Sequence, residues 1–290
     1  MGMTRRILGS ASRGSLLSDV EGRINSWRLE HRRLAAIADD ARATPSADRI
    51  NRFASSLPSP SSYLEIGVEH GYTLEAVGIS SRVGVDPHPM FSRRSLPAGL
   101  TVHPVTSDEY FGTLGGDALF DVIFLDGLHT YRQTYRDLIN SLHHLVPQGV
   151  VIIDDVVPSD ELSSMSNLDA SIREQVRRGV SDFQWHGDVF RLISLLRDHH
   201  PELQFRTVVG TGNEQTVLWK TNPQQTSLAV DEATLEECGH VSYEATFSHG
   251  VPEYFRPGSD DEVLGEFQRH QDAFARLRLV QKPASDESTL

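Results

Sequence analysis

The sequence predicts an α/β fold with a doubly wound, mostly parallel sheet of seven strands and helical extensions at both ends. Three observations predict it. Short apolar segments alternate with amphipathic stretches from residue 61 onwards. The first of these segments runs into a glycine turn, and two later ones end on aspartates. The last two, 204–209 and 215–220, lie close enough along the chain to form an antiparallel hairpin.

Composition limits the classes of protein that the chain can represent. Its 290 residues suffice for one large domain with appendages. A net charge of −13, from 40 acidic and 27 basic residues, repels phosphates and argues against a nucleic-acid partner. No apolar run approaches the ~18 residues of a membrane span, and no signal-peptide hydrophobic region follows Arg5 and Arg6. We therefore expect a cytoplasmic protein with no membrane partner. A single cysteine, Cys238, excludes an internal disulfide framework.

The chain divides into four predicted units. They are a disordered tail, an N-terminal helical segment, the sheet domain, and a C-terminal helical extension with its own tail. In chain order these are 1–18, 19–60, 61–222 and 223–290. Apolar residues spaced by three and four predict helices over 20–42 and 260–279, and a shorter helix is predicted over 47–56. The two long flanking helices favour a homo-oligomer.

The sheet domain contains the predicted strands and the helices between them. The strands are predicted at 63–67, 82–86, 101–105, 120–126, 150–154, 204–209 and 215–220. The helices are predicted near 72–78, 131–145 and 183–199. A polar stretch over 155–180 leaves the carboxyl edge of a central strand. A segment of that length is more typical of a substrate lid than of a loop without a function.

The turn after the first strand has the features of a nucleotide site. Gly67 and Gly71 allow close approach of the backbone to a ligand, and the helix that begins near Thr73 offers free N–H groups. Asp86 ends the second strand, where a carboxylate can accept both hydroxyls of a ribose. The acidic Glu65 suits a cationic ligand better than a pyrophosphate, which it would repel. The alternative is a glycine turn that binds no ligand.

Two residues after the third strand are candidates for contact with an adenine. Ser107 and Asp108 follow that strand directly, at the edge of the sheet where the glycine turn also lies. Asp108 could equally cap the helix that follows.

Aspartates end two neighbouring strands further along the chain. Asp126 ends one, and the pair Asp154 and Asp155 ends the next. Adjacent parallel strands would bring all three to the carboxyl edge of the sheet, where they raise each other's pKa unless a cation neutralises them. Oxygen ligands without sulfur favour Mg²⁺, or else Mn²⁺ or Ca²⁺. Alternatively, Asp154 and Asp155 cap a turn, or Asp126 only contacts the cofactor.

Three motifs together resemble the macrocin O-methyltransferase-like group, which is related to the metal-dependent catechol O-methyltransferases. They are the run Asp126-Gly-Leu-His129-Thr-Tyr131, the pair Asp154-Asp155, and the run Trp185-His-Gly-Asp188-Val. The similarity covers roughly residues 60–220. It implies a class I methyltransferase (Rossmann-like) fold, S-adenosylmethionine near Glu65, Gly67 and Asp86, and a metal on the three aspartates. Catechol enzymes have an asparagine at the position of Asp155.

The resemblance does not identify the catalytic base of this chain. Some sugar methyltransferases of the group have an aspartate two residues after the first metal ligand, where this chain has Leu128. His129 is the first candidate, because an imidazole with a pKa of ~6.5 can accept the proton of a hydroxyl activated by a metal. A structural role for His129 is the alternative. His186 is a second candidate base.

Three residues are candidates for contact with the substrate. Asp188 and His186 flank Gly187, but Asp188 could instead be the N-cap of the next helix. Tyr131 belongs to the same motif as His129, and an anchoring role on its helix is the stronger interpretation for it.

The predicted activity is methyl transfer to a hydroxyl of a sugar, a polyol or a glycosylated natural product with vicinal hydroxyls. One alternative is a catechol-type O-methyltransferase. A cephalosporin hydroxylase-like oxidoreductase on a similar fold is another, and it would bind NADH instead of S-adenosylmethionine. A non-catalytic scaffold is a third, but a relative without activity has no use for a destabilising carboxylate cluster.

Overall fold

A computed structural model describes residues 44–94, 96–180, 183–222 and 229–281, with side chains up to residue 276. Two N-terminal predictions, the disordered tail over 1–18 and the helix over 20–42, lie outside the described residues, as does the tail from residue 282. Among the helices described, none is both long and apolar enough to cross a membrane.

Eight strands form one sheet, in the order β3-β2-β1-β4-β5-β7-β6-β8. Their bounds are β1 Ser62–Ile66, β2 Ser81–Val85, β3 Leu100–His103, β4 Phe120–Leu125, β5 Leu145–Ile153, β6 Leu203–Val208, β7 Gln215–Lys220 and β8 Pro257–Gly258. Strands β1 to β5 are parallel to one another, whereas β7 is antiparallel to both β5 and β6. The prediction of a doubly wound, mostly parallel sheet is confirmed. The eighth strand was not predicted because it has only two residues, too few for a periodic pattern.

Nine α-helices are present among the described residues. They are α1 Pro45–Ala54, α2 Tyr72–Ala76, α3 Ser107–Thr113, α4 Tyr131–His143, α5 Leu168–Arg177, α6 Arg191–His199, α7 Glu232–Gly239, α8 Tyr243–Phe247 and α9 Asp260–Gln281. The prediction of a helix from residue 183 places its start too early, because Gly187 is left-handed (φ +64°) and α6 begins only at Arg191. The short helices α7 and α8 were missed.

Helices cover both faces of the sheet. One apolar cluster places side chains of α4 and α6 on one face, and a second places α1 and α9 on the other. In the second cluster Phe267 of α9 contacts Phe53 of α1 and Trp219 of β7, with ring centroids 5.6 and 5.3 Å apart. The segments before and after the sheet domain therefore complete its core.

The strand order fixes where a ligand can bind. From β1 the chain winds outwards through β2 and β3, and then returns to place β4 on the other side of β1. Such a reversal leaves a crevice outside the carboxyl ends of the strands, which is the usual ligand site of open α/β sheets.

Candidate active site

A cavity of about 790 Å³ opens at the carboxyl ends of β1, β2 and β4. This volume lies within the range of ~300–1,000 Å³ that is typical of small-molecule sites. All eight residues predicted to bind the cofactor contribute to its walls: Glu65, Gly67, Gly71, Thr73, Asp86, Ser107, Asp108 and Asp126. We call this cavity the donor pocket.

Glycine is required where β1 ends. Gly67 is left-handed, with φ +87°, and a Cβ there would overlap the carbonyl oxygen of Asp126. Its N–H donates to the carbonyl of Val85 at 2.8 Å, which ties the turn to β2. Gly71 is also left-handed (φ +80°) and immediately precedes α2. Both glycines line the donor pocket, but at Gly67 the absent side chain makes room for the backbone of Asp126, so close approach to a ligand stays a prediction.

Asp86 holds the glycine turn in place. Its Oδ2 accepts the N–H groups of Val68 at 3.0 Å and Glu69 at 2.9 Å, and its Oδ1 accepts the N–H of His88 at 2.6 Å. A carboxylate has about four acceptor sites. Three are used here, so Oδ1 keeps one for a ligand hydroxyl, whereas the sequence suggested contact with two.

Glu65 is a buried carboxyl in the wall of the donor pocket. It is 2% exposed, and its Oε2 accepts the hydroxyl of Tyr63 at 2.7 Å. Burial raises the pKa of Glu65 to about 8; the hydrogen bond from Tyr63 opposes the rise, and the charge of Asp86 adds to it. A cationic ligand in the pocket would favour the ionised form.

Gln133 of α4 organises the far wall of the donor pocket. Its Nε2 donates to Ser107 Oγ at 3.1 Å and to Asp108 Oδ1 at 3.2 Å. Asp108 is not the cap of α3, because Thr106 is the N-cap and forms a capping box with Glu109. No sequence motif indicated Gln133, since it faces the pocket only through the packing of α4 against the sheet.

A second group of side chains adjoins the donor pocket. Asp126, His129 and Asp155 each offer a ligand atom, and these atoms all lie within 4.8 Å of one another. Nδ1 of His129 lies 2.6 Å from Asp155 Oδ2, and its Nε2 lies 3.8 Å from Asp126 Oδ1. The imidazole stacks on Trp185, with centroids 4.8 Å apart and ring planes at 9°. We call these three residues with Asp154 the acid cluster.

Asp154 lies slightly apart from the other members of the acid cluster. It is 4% exposed, and its Oδ1 accepts the N–H of Asp155 at 2.9 Å. A small cavity of about 10 Å³ nevertheless has Asp154, Asp126, Asp155 and His129 in its walls. That volume is close to the minimum that holds one water molecule. The three predicted metal ligands all line this ion-sized cavity, but the ligand atoms close enough to share one cation belong to Asp126, Asp155 and His129.

The acid cluster needs positive charge. Burial, together with the charges of Asp154 and Asp155, raises the pKa of Asp126 well above its usual range. Burial and Asp155 raise the pKa of Asp154 to about 7. Burial alone would lower the pKa of His129, but Asp155 outweighs it and the net shift is upwards. Negative charge is therefore unfavourable in the cluster, and a bound cation would offset it.

The donor set fits a divalent cation. Carboxylate oxygens suit Mg²⁺, Mn²⁺ and Ca²⁺. Asp155 also has a left-handed backbone, with φ +59°. A non-glycine residue in that region costs of order 1–3 kcal/mol, and such residues concentrate at functional sites.

His186 lies at the edge of the acid cluster. Its Nε2 is 3.9 Å from Asp155 Oδ1, and its Nδ1 is buried without a hydrogen-bond partner among the described residues. The left-handed Gly187 allows this approach, since a Cβ there would overlap the carbonyl oxygen of His129. His186 thus has the position of a second candidate base, although His129 is closer to the acids.

Asp188 and Tyr131 lie in the interior instead of facing a substrate. Asp188 Oδ1 accepts the N–H of Tyr131, the first residue of α4, at 2.9 Å, and its Oδ2 pairs with Arg191 at 2.8 Å. Asp188 therefore caps α4, and not the helix that follows it in the sequence. The hydroxyl of Tyr131 donates to the carbonyl of Leu235 at 2.8 Å. Both residues are buried, their polar atoms are used in these hydrogen bonds, and neither lines the donor pocket. These contacts correct the expectation that they touch the substrate.

The polar stretch over 155–180 packs beside the acid cluster. The carbonyl of Ser163 accepts the N–H of His186 at 2.9 Å, and the carbonyl of Met165 accepts the indole N–H of Trp185 at 2.6 Å. The stretch contains α5. It therefore holds the two aromatic residues against the cluster, which is the position that the lid hypothesis requires.

Comparison with known proteins gives one family match. Residues 64–156 match a family model described as a methyltransferase domain. The matched stretch includes the glycine turn and all three strand-end aspartates. This part of the chain, which forms the parallel half of a Rossmann-like sheet, is therefore similar to a methyltransferase domain. No curated protein matches the chain.

Solved structures with similar folds include two O-methyltransferases. One, from Bacillus cereus in complex with S-adenosylhomocysteine (SAH), is 16% identical over 74% of this chain and 93% of its own, with a TM-score of 0.42. The other, from Streptomyces achromogenes and involved in tomaymycin synthesis, is 16% identical over 71% of this chain and 89% of its own, with a TM-score of 0.44. Identities this low carry no information about the acceptor.

Proposed function

We propose that the protein is an S-adenosylmethionine-dependent, divalent-metal-dependent O-methyltransferase whose acceptor is a sugar, a polyol or a glycosylated natural product with vicinal hydroxyls. One observation supports this most directly. Asp126 lines both the donor pocket and the ion-sized cavity of the acid cluster. A space for a nucleotide-sized donor and a space for a cation therefore share a wall, as metal-assisted methyl transfer requires.

The donor pocket suits a cationic adenosyl ligand. A sulfonium in the pocket would favour the ionised forms of Glu65 and Asp126, which lie near the turn that ends β1, and Asp86 has an acceptor site for a ribose hydroxyl. Ser107 and Asp108 lie on the wall assigned to the adenine. The same acids would repel the pyrophosphate of NADH, so the pocket argues against the oxidoreductase alternative.

The acid cluster would hold the cation. Asp126, Asp154 and Asp155 are its proposed ligands, and the bound cation would act as a Lewis acid that lowers the pKa of the acceptor hydroxyl. Two neighbouring hydroxyls form a chelate, which is the basis for expecting vicinal diols. The stretch over 155–180 would exclude water from the acceptor.

His129 is the proposed general base. The acceptor oxygen attacks the methyl carbon as the C–O bond forms and the sulfonium C–S bond breaks, and the hydroxyl proton passes to the imidazole. Asp155, 2.6 Å from Nδ1, would stabilise the imidazolium that results by its charge. Trp185 fixes the ring plane from one side.

Calorimetric titration with S-adenosylmethionine, with and without Mg²⁺, tests the proposal. We expect the donor to bind, and we expect labelled methyl transfer to polyols to stop with a chelator and with Asp154→Ala. Asp169→Ala, which changes an exposed acid of α5, is the matched control and should leave transfer intact. Activity that survives both the chelator and Asp154→Ala would exclude the metal mechanism.

A catechol acceptor is the second candidate, and one observation favours it. Leu128, which lines the donor pocket beside the acid cluster, is 58% exposed. An exposed leucine suits the flat apolar face of a catechol better than a sugar. Parallel assays with a catechol and a polyol, in the wild type and in Leu128→Asp, distinguish the two. If the acceptor is a catechol, the substitution lowers kcat/KM for the catechol. If the acceptor is a polyol, the substitution raises kcat/KM for the polyol.

A further inference from the structure

Two residues of α4 hold the carboxylate of Asp108, one at each oxygen. Oδ1 accepts the amide of Gln133 at 3.2 Å, and Oδ2 accepts Nη2 of the exposed Arg136 at 3.2 Å. Asp108 and Gln133 both line the donor pocket. A carboxylate has about four acceptor sites. Two are used here, so Asp108 keeps acceptor sites for a ligand while its position is fixed from both sides.

The orientation of the Gln133 amide is determined by the side chains around it. Arg136 Nη2 donates to Oε1 of Gln133. A guanidinium only donates hydrogen bonds, so the amide oxygen must face it and the amide NH₂ must point away. Nε2 accordingly lies 3.0 Å from Asp137 Oδ1 and 3.1 Å from Ser107 Oγ, as well as within reach of Asp108.

Asp137 anchors the Gln133 amide from the interior of the protein. It is 2% exposed and lies one turn further along α4. The two hydrogens of the amide are shared among three acceptors, so Gln133 keeps none to donate to a ligand. Its contribution to the donor pocket is therefore to fix other side chains, above all the carboxylate of Asp108.

We infer that Gln133 is a positioning residue that keeps Asp108 as a hydrogen-bond acceptor in the donor pocket, so that this wall selects a base with an exocyclic amino group. The inference rests on the proposed function, in which the adenine of the methyl donor lies against Ser107 and Asp108. The amino group of adenine donates hydrogen bonds. Hypoxanthine has a carbonyl oxygen at the same position, and two acceptors that face each other repel.

Calorimetric titration of the full-length protein without metal, with SAH and with S-inosylhomocysteine, tests the inference. The second ligand has hypoxanthine in place of adenine. We expect the wild type to bind SAH about tenfold more tightly. Gln133→Met keeps the length of the side chain and removes the amide. Its Kd for SAH should rise about 2–10-fold, with a smaller change for S-inosylhomocysteine, so that the preference falls.

Gln204→Met is the matched control. Gln204 of β6 is half-buried like Gln133, and its amide also donates to a carboxylate, that of Glu266, at 3.0 Å. It does not line the donor pocket. We expect both Kd values, and the preference for SAH, to equal those of the wild type.

A double-mutant cycle shows whether Gln133 acts through Asp108. Asp108→Ala should abolish the preference for SAH, because the acceptor is lost. Adding Gln133→Met to that variant should then change the Kd for SAH no further. Losses that add up in the double variant overturn the inference, since Gln133 would act on the ligand by another route.

The outcomes distinguish the inference from the proposed function. An unchanged preference in a folded Gln133→Met protein, or an equal loss of affinity for both ligands, overturns the inference while SAH binding by the wild type still supports the proposed function. If the wild type does not bind SAH, both are overturned. Should Gln133→Met fail to fold, Arg136→Met removes the other bond to Asp108 from the surface. It should also lower the preference, and an unchanged preference overturns the inference.

Discussion

The carboxyl group of Glu65 shows how a single buried residue can link folding to pH. In the folded protein its pKa is raised from 4.5 to about 8. Between these values the folded state binds a proton that the unfolded state has lost, so the free energy of unfolding falls as pH rises through this range. The sequence indicated the acid but not the buried bond from Tyr63, whose hydroxyl reaches Glu65 along the same face of β1.

Replacing Glu65 by glutamine should remove this pH dependence. Glutamine has no proton to lose, and its carbonyl oxygen can still accept the Tyr63 hydroxyl. We expect Glu65→Gln to gain stability relative to the wild type between pH 5 and pH 8, by on the order of 2 kcal/mol. Urea denaturation without ligand at both pH values measures the gain. Glu69→Gln, an exposed change in the same turn, should show no such difference. A constant offset for Glu65→Gln at both pH values would contradict the prediction.

His129 is the residue on which proton transfer is expected to depend. We expect His129→Ala to lower kcat by about 10²–10⁴-fold and to abolish the acidic limb of the pH–rate profile, because the base would be lost. Steady-state assays at saturating Mg²⁺ across pH measure both effects. His143→Ala, at the exposed end of α4, is the control and should behave as the wild type. If the acidic limb persists at reduced kcat, His129 is not the base and His186 becomes the candidate.

At the scale of elements, the turn before α6 determines how the acid cluster is enclosed. The sequence showed an apolar-periodic helix after Gly187, but it could not show which helix Asp188 caps. The answer depends on α4 and α6 meeting in space, where Asp188 reaches the N–H of Tyr131. The positions of the strand-end acids, in contrast, could be predicted because they depend only on the arrangement of the strands. The ends of adjacent parallel strands meet at one edge in any such sheet.

Two glycines allow a test of that turn. Gly187 and Gly179 are both left-handed, with φ +64° and +78°, but only at Gly187 would a Cβ overlap a neighbouring backbone, that of His129. Gly179→Ala should cost about 1–2 kcal/mol through conformational strain alone. Gly187→Ala should cost clearly more and should also displace His129, which lowers kcat. Thermal unfolding and steady-state kinetics of both variants measure these effects. Equal losses of stability and of kcat at the two positions would show that the contact between Gly187 and His129 contributes to neither.

At the scale of the whole molecule, the segments on both sides of the sheet domain belong to its core. Arg49 of α1 and Gln215 of β7 are 166 residues apart in the sequence. No local pattern can indicate such a pair, since helical periodicity shows only that α1 has a buried face. The sequence therefore predicted the helices α1 and α9, but not that a buried arginine joins them to each other and to Gln215 of β7.

Two arginines on α1 allow a buried ion pair to be compared with an exposed one. Arg49 pairs with Asp260 in the interior, whereas Arg52 pairs with Asp261 at the surface, one turn further along. Arg49→Met leaves a largely buried carboxylate without its partner and should cost about 3–5 kcal/mol. Arg52→Met should cost less than about 1 kcal/mol. Urea denaturation of both variants measures the difference. Similar losses of unfolding free energy would contradict the conclusion that the buried ion pair of Arg49 stabilises the packing of α1 against α9.

Two carboxylates, Asp126 and Asp155, line both the donor pocket and the ion-sized cavity, and this sharing has a thermodynamic consequence. A ligand in either space changes the charge and the position of a group that the other space also contacts. The two binding equilibria are then linked, and the linkage is reciprocal. Any factor by which the cation changes the affinity for the methyl donor is the factor by which the methyl donor changes the affinity for the cation. The order in which the two ligands bind changes the free energy of each step but not the total free energy of binding both.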